Sequence, residues 1–356
     1  MLRSAALISL LLRLTCLVVL LAPPVVATEL VRDLYIAEVP VTDRGAAELD
    51  KAAAEGLAQV LVKVSGTEGV LALPAVENAL PVAREQMLQY SYTRATNADT
   101  GEQALAARVE FEPSLVRQLL ATAGAPMWTA TRPVVLVWVV KDGVNGRHFV
   151  NSDTDPELVA ELARAFHRRG VPVRLPLFDL EDTASIDPDQ AWSLAAGPLR
   201  AASSRYGATE ILAGRVAMLS SGDLVGDWLQ LSGNNRTERG VTRASRREFA
   251  QQGAALVAES MASRYALPVQ PGANLTMTVS GVNSYADYAS IVAWLESLEP
   301  IEQASVTSIR ADVVSLQLTA SAIARQLAPV IELNSRLAPV KAERDASEPL
   351  SYRWQN

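Results

Sequence analysis

Cysteine is nearly missing from this 356-residue chain, with Cys16 as its single example. Cys16 lies in an apolar stretch that reads as a leader, so the rest of the chain offers no thiol nucleophile, no thiolate metal site and no disulfide. Histidine is almost as scarce: His148 and His167 are the two present, and a lone histidine makes a poor zinc site. Lysine is confined to Lys51, Lys63, Lys141 and Lys341. The formal net charge is -7, whereas neutralising nucleic-acid phosphates needs a basic footprint, so nucleic acid is not an expected partner. Long hydrophobic runs are missing too. The apolar run after Arg13 stops at Pro23-Pro24, well short of the roughly 20 residues a membrane-spanning helix needs, so no transmembrane helix is expected in the mature chain. Nucleophile elbows, phosphate-binding loops, dinucleotide fingerprints and serine-lysine motifs are absent, and no cofactor or catalytic residue is expected.

What is present begins with that leader. Arg3 and Arg13 precede the apolar core, and Val25-Val26-Ala27 supplies a small residue at its exit. This is the pattern of a cleavable signal peptide covering residues 1–27, with a mature chain from Thr28 exported to the periplasm. Retention as an uncleaved anchor is the alternative. Lipidation at Cys16 is a weaker reading, because Thr15 stands where a smaller residue is usual.

Beyond the leader, periodicity divides the chain into three small modules and a tail. Residues 28–125 read as strand, helix, helix, strand, strand, helix; Leu49, Ala53, Leu57, Val60, Leu61 and Val64 recur at helical spacing. Residues 131–268 open on "RPVVLVWVV", apolar on both faces as in a sheet covered by helices on each side. Asp155-Pro156 then caps a helix with Leu158, Leu162 and Phe166 along one face. Residues 273–336 repeat strand, helix, strand, strand, helix, a ferredoxin-like order. Residues 337–356 read as a polar, disordered tail, with Tyr352 and Trp354 as possible docking groups. The expected class is α+β with an α/β centre.

The stretch "SSRYGATEILAGRVAMLSSGDLVGDWLQLSG" concentrates glycines, an acid and arginines. Glycine ends helices, permits close backbone approach and turns hairpins, so a structural frame accounts for this segment better than a ligand loop does.

Two other places could carry chemistry. Asp179, Glu181, Asp182, Asp187 and Asp189 crowd the loop after a strand, where α/β folds place ligands. Asp179, Glu181 and Asp182 are the candidate ligands for a hard cation, although the spacing fits no EF-hand. The same residues 179–189 could instead serve a hydrolase, one acid as base and another orienting it. The second place is a basic span. Trp228, Arg239, Arg243 and Arg246, with Arg236 and Arg247 nearby, form a candidate surface for carboxylate or phosphate. Its plainer reading is a solvated hairpin. His167 reads as a cation at a helix end, and His148 as a loop residue.

The segments "LYIAEVPV", "GLAQVLVKVSG", "RPVVLVWVV" and "RYGATEILAGRV" together resemble the proteobacterial domain of unknown function 2066, over residues 30–333. That resemblance implies an exported envelope protein of a Gram-negative bacterium and brings no catalytic residues. In layout the central module is similar to the amino-terminal domain of the Tol translocation protein, the curli secretion lipoprotein and outer-membrane activators of peptidoglycan synthases. The reading is a non-enzymatic adaptor whose partners are envelope proteins or cell-wall polymer, with the hydrolase on residues 179–189 as the alternative.

Overall fold

The computed structural model describes residues 27–96, 103–144, 146–268, 273–340 and 350–355. The leader through residue 26, with Cys16, lies outside them.

The first unit begins with β1 (Thr28–Leu30), β2 (Ile36–Pro40) and helix α1 (Ala46–Ser65). Helix α2 (Pro74–Ala79), β3 (Met87–Thr96), β4 (Gln103–Phe111), α3 (Pro113–Ala123), β5 (Pro126–Trp128) and β6 (Thr131–Pro133) follow. β2, β4 and β3 form an antiparallel sheet in that order. The helical repeat identified in the sequence is the buried face of α1: Leu49 is buried, and Ala53, Leu57, Val60, Leu61 and Val64 pack into one core with Val109 and Phe111 of β4.

The second unit holds β7 (Val135–Gly143), β8 (Gly146–Phe149), α4 (Pro156–Arg168), β9 (Val173–Arg174), α5 (Leu180–Ser185), α6 (Pro188–Trp192) and α7 (Ala196–Ser203). It continues with β10 (Glu210–Met218), β11 (Leu224–Ser232), β12 (Asn235–Ala244), α8 (Arg246–Tyr265) and β13 (Ala266–Pro268). Its sheet runs β12-β11-β10-β7-β8, with β9 also paired to β7; β7 is parallel to β10 and β9, and the other pairings are antiparallel. Side chains alternate across a strand, so β7 feeds two cores. Val135, Val137 and Val139 pack with α4 and α8, while Leu136, Trp138 and Val140 pack with α6 and α7. The chain breaks between α6 and α7, after Trp192 and before Ala196. Pro198 sits in the first turn of α7, where its missing N–H leaves no helical bond unmade.

Residues 126–130, between the first two modules read from the sequence, are structured. β5 pairs with β13, which brings Met127 opposite Leu267. Met127 enters the first core and the fully buried Trp128 the central one.

The third unit comprises β14 (Ala273–Ser280), α9 (Tyr285–Glu296), β15 (Ile301–Arg310), β16 (Val313–Ala320), α10 (Ala324–Ile331), β17 (Leu337–Pro339) and β18 (Leu350–Trp354). The chain end departs from the expected disordered tail. β17 and β18 complete a five-stranded sheet ordered β15-β16-β14-β18-β17, with β18 parallel to β14. Leu350, Tyr352 and Trp354 alternate inward and are buried, so Tyr352 and Trp354 pack in the core and are not free to dock a partner. Residues 341–349 lie outside the described residues.

The chain is thus a mixed α+β protein with several sheets, some of their strands parallel. Among the described residues, no helix is long and apolar enough to cross a membrane.

Candidate functional site

Helix α4 ends in His167-Arg168-Arg169-Gly170, and these basic residues point in different directions. His167 Nε2 meets Asp33 Oδ2 at 2.5 Å, a tie to the first unit. The contact holds the Asp33 carboxyl far below its ordinary value, with His167 as the largest cause. The side chain expected to serve its own helix end therefore also joins two units. Arg169 reaches the first unit as well, its Nη2 donating to Glu68 Oε1 at 2.8 Å.

Arg168 faces a cavity of about 450 Å³ between α1, α4 and α8, lined also by Arg169, Arg239, Gln251 and Gln252. Its guanidinium makes no hydrogen bond or ion pair among the described residues. Partial loss of water, together with the nearby cations Arg247, Arg164 and Arg169, pushes Arg168 below the ordinary arginine value. Two carboxylates share the lining and both are committed. Glu68 holds Arg169, and Glu248 closes the amino-terminal cap of α8 by accepting from Ser245 N at 2.8 Å.

The arginines singled out in the sequence do not form one free patch. Arg239 lines the cavity, where its Nη1 donates to Gln252 O at 3.2 Å and its Nη2 to Glu259 Oε2 at 3.0 Å. Arg243 is drawn away to Asp223 at 3.4 Å. Arg246 faces Asp155 at 3.6 Å and Glu157 at 3.4 Å. Asp155 caps α4 and binds Lys141. Replacing Arg239, Arg243 and Arg246 together by Glu would set like charges against Glu259, Asp223 and the buried Asp155. Thermal denaturation of this triple variant should show a loss of about 1–3 kcal/mol, so a charge-neutral glutamine set is the cleaner probe of binding.

Trp228 is fully buried and belongs to the central core, not to a binding surface. Its ring stacks on Phe249 with centroids 4.5 Å apart, and its Nε1–H donates to Phe249 O at 3.0 Å. The glycines around it make the space. A Cβ on Gly214 of β10 would lie 2.5 Å from the indole, and one on Gly253 of α8 would lie 2.7 Å away. The frame reading of this segment has its physical basis in that slot. Trp228→Phe should cost about 1–3 kcal/mol by urea unfolding, from the lost hydrogen bond and the space left behind.

The acidic loop is occupied by an arginine. Asp179 caps α5, accepting from Glu181 N and Asp182 N at 3.1 and 3.0 Å. Arg205 grips it through both carboxylate oxygens, at 2.7 and 2.9 Å, and reaches Asp182 Oδ1 at 3.0 Å. The buried Asp182 also accepts from Tyr206 OH at 2.6 Å and Phe178 N at 2.8 Å. Arg205 holds the Asp179 carboxyl far below its ordinary value, which makes it a weak proton acceptor, whereas a general base needs a value nearer the working pH. Glu181 lies 3.4 Å from the same arginine. Asp187 caps α6, and Asp189 pairs with Arg147 at 2.8 Å. Among the described residues, no group of three or more His, Cys, Asp or Glu side chains is placed to hold a metal ion. His148, expected in a loop, instead lies on β8 opposite Lys141 and is half-buried, with Nδ1 3.3 Å from Gly146 O.

Sequence reasoning missed Arg168 and Arg169. The "HRRG" end was visible as a dipole complement to α4, but the facing residues Gln59 and Glu68 come from a segment about a hundred positions away.

No curated protein matches the chain. Residues 28–129, which span the first sheet, its helices and β5 through Trp128, match the model of a domain of unknown function, DUF8605.

Proposed function

We propose that this chain is an exported, non-catalytic adaptor of the Gram-negative cell envelope that binds other envelope proteins or cell-wall polymer. The observation that carries the choice of binding over hydrolysis is the Arg205 fork on Asp179 and Asp182. It commits the carboxylates on which the hydrolase would depend, and a carboxylate locked in an ion pair is a poor proton acceptor. Export rests on the leader, with its charged start, short apolar core and Ala27 exit. Membership of the domain of unknown function 2066 family, the ferredoxin-like order of the third unit and the Tol-like layout of the central one belong to the same reading.

Surface for contact is present. Tyr285 and Ile309 are 81% and 62% exposed beside a shallow, mostly apolar cavity in the third unit, and exposed apolar groups gathered in one place mark interaction sites. Crosslinking the tagged, exported chain in cells should capture envelope proteins or peptidoglycan fragments. Adducts confined to cytoplasmic proteins would sink the proposal. Hydrolysis of wall fragments by the purified mature chain, lost in Asp182→Ala, would restore the hydrolase.

A further inference from the structure

The turn between β9 and α5 holds bulky side chains where both backbone and solvent disfavour them. Phe178 has a φ of 55°, a left-handed conformation that is strained for a bulky residue and persists only where the surroundings impose it. Those surroundings are specific. The Phe178 ring packs against Trp138 and Phe149, with centroids 5.9 and 5.3 Å away. Its N–H donates to Asp182 Oδ2 at 2.8 Å, and the N–H of Leu177 donates to Tyr206 OH at 2.9 Å. Arg205 in turn holds both Asp179 and Asp182. This scaffold leaves Leu177 and Leu180 outside every core. They are 70% and 89% exposed, more than any other described leucine. Single exposed apolar residues are ordinary, but these two stand three positions apart on a turn fixed by an aromatic anchor and an ion-paired network. Its conformation is set before any partner arrives, which removes an ordering cost from binding.

We propose that Leu177 and Leu180 form a preset docking knob for a second protein, one that presents an apolar cleft rimmed by lysine or arginine. The charge around the leucines sets that chemistry. The side chains of Glu181 and Asp189 are 66% and 80% exposed, whereas their arginine partners, Arg205 and Arg147, are 23% and 35% exposed. The outward charge of α5 and of the next helix, α6, is therefore negative. Leucine offers no hydrogen bond to a sugar, and an acidic rim is repelled by an anionic lipid surface, so a basic-rimmed protein cleft fits better than cell-wall polymer or membrane. The leucines supply the anchor by leaving water, while the acidic rim steers the approach and rejects acidic surfaces. This deepens the adaptor reading and rests on its choice of binding over catalysis.

Crosslinking in cells with the whole chain tests the knob. A photoreactive phenylalanine analogue is placed at Ala184, which is exposed on α5 four residues after Leu180, and in a second strain at Tyr285 of the third unit. The Ala184 probe should give one discrete protein adduct. Leu177→Ser combined with Leu180→Ser should lower its yield about tenfold or more. Glu181→Gln combined with Asp189→Asn keeps both leucines and should lower the yield as well. Leu115→Ser, at an exposed leucine of α3, is the control and should crosslink as the parent does, with thermal denaturation confirming that each variant is folded. No adduct from Ala184 would overturn the knob, and adducts from Tyr285 in the same experiment would leave the adaptor reading standing without it. A cytoplasmic protein captured at Ala184 and lost in the double serine variant would keep the knob and sink the envelope assignment. An undiminished adduct in the double serine variant, or an equal loss in Leu115→Ser, would also overturn the knob. Sedimentation of the purified chain with anionic phosphatidylglycerol vesicles, abolished by the two serines, would overturn it by assigning the leucines to lipid.

Discussion

Deletion of residues 341–356 should unfold the third sheet while leaving the central one intact. The deletion removes β18, and with it Leu350, Tyr352 and Trp354, which are 0%, 1% and 4% exposed. Burying each such side chain contributes roughly 1.5–3 kcal/mol, so their joint loss is on the order of 5 kcal/mol or more. That is comparable to the whole stability of a small domain, about 5–15 kcal/mol. β18 is also an interior strand, between β14 and β17, and its removal leaves the backbone edges of both unpaired. Trp354 adds a specific tie, its Nε1–H donating to Asp287 Oδ1 at 2.9 Å while Arg336 stacks over the ring at 4.1 Å. Limited proteolysis should cut the truncated chain within residues 273–340 and spare residues 135–265. A truncated protein as resistant as the parent throughout would show that β18 is dispensable. Trp354→Ala, which keeps the strand but loses the anchor, should give an intermediate result.

The same strand shows how far the sequence could be read. "LSYRW" alternates apolar and polar as a half-buried strand does, yet residues 341–349 before it are polar and two strands of five residues or fewer carry little periodic signal. Composition won over alternation, and the end of the chain was read as a tail. Longer elements left less room for error. The periodicity of α1 extends over 20 residues and its apolar positions are the buried ones. "RPVVLVWVV" is apolar on both faces because helices cover both. Candidate sites fared differently, because what decides them is the partner rather than the residue. Nothing local in Asp179 or Asp182 announces Arg205, which lies more than twenty positions on, and nothing in Arg239, Arg243 and Arg246 announces the acid facing each. Trp228 did carry a signal in Gly214 and Gly253, since glycine on two elements leaves room for one large ring, but the pairing of those elements had to be known first.

Arg132 is the strongest example of a role that long-range partners create, and replacing it by Met should cost about 3–5 kcal/mol, the range for removing one partner from a buried charged network. The side chain opens the apolar segment before β7 and is 0% exposed. Loss of water pushes it down to about 9, which leaves it charged at neutral pH. Its neutralising partners are backbone carbonyls. Nε donates to Thr129 O at 2.9 Å, Nη1 to the carbonyls of Arg169 and Gly170, and Nη2 to Lys63 O at 2.8 Å and Trp128 O at 3.2 Å. Lys63 lies in the last turn of α1, and Arg169 with Gly170 ends α4, so the guanidinium sits where two helices present their negative ends. It also stacks on Trp128, 4.0 Å from the ring centroid. The third unit meets the same turn, where Glu299 Oε1 accepts from Ala130 N at 3.1 Å. Methionine fills much of the volume but leaves these buried carbonyls without their donors, and lysine can serve only some of them from a single nitrogen. Urea unfolding should therefore rank the parent above Arg132→Lys and Arg132→Met lowest. Because the carbonyls come from both sides of the junction, the methionine variant should also separate the melting of the first and second units into distinct calorimetric transitions. A loss below about 1 kcal/mol, the net worth of one ordinary hydrogen bond, would mean that water replaces the guanidinium and that the junction is held by its apolar contacts alone.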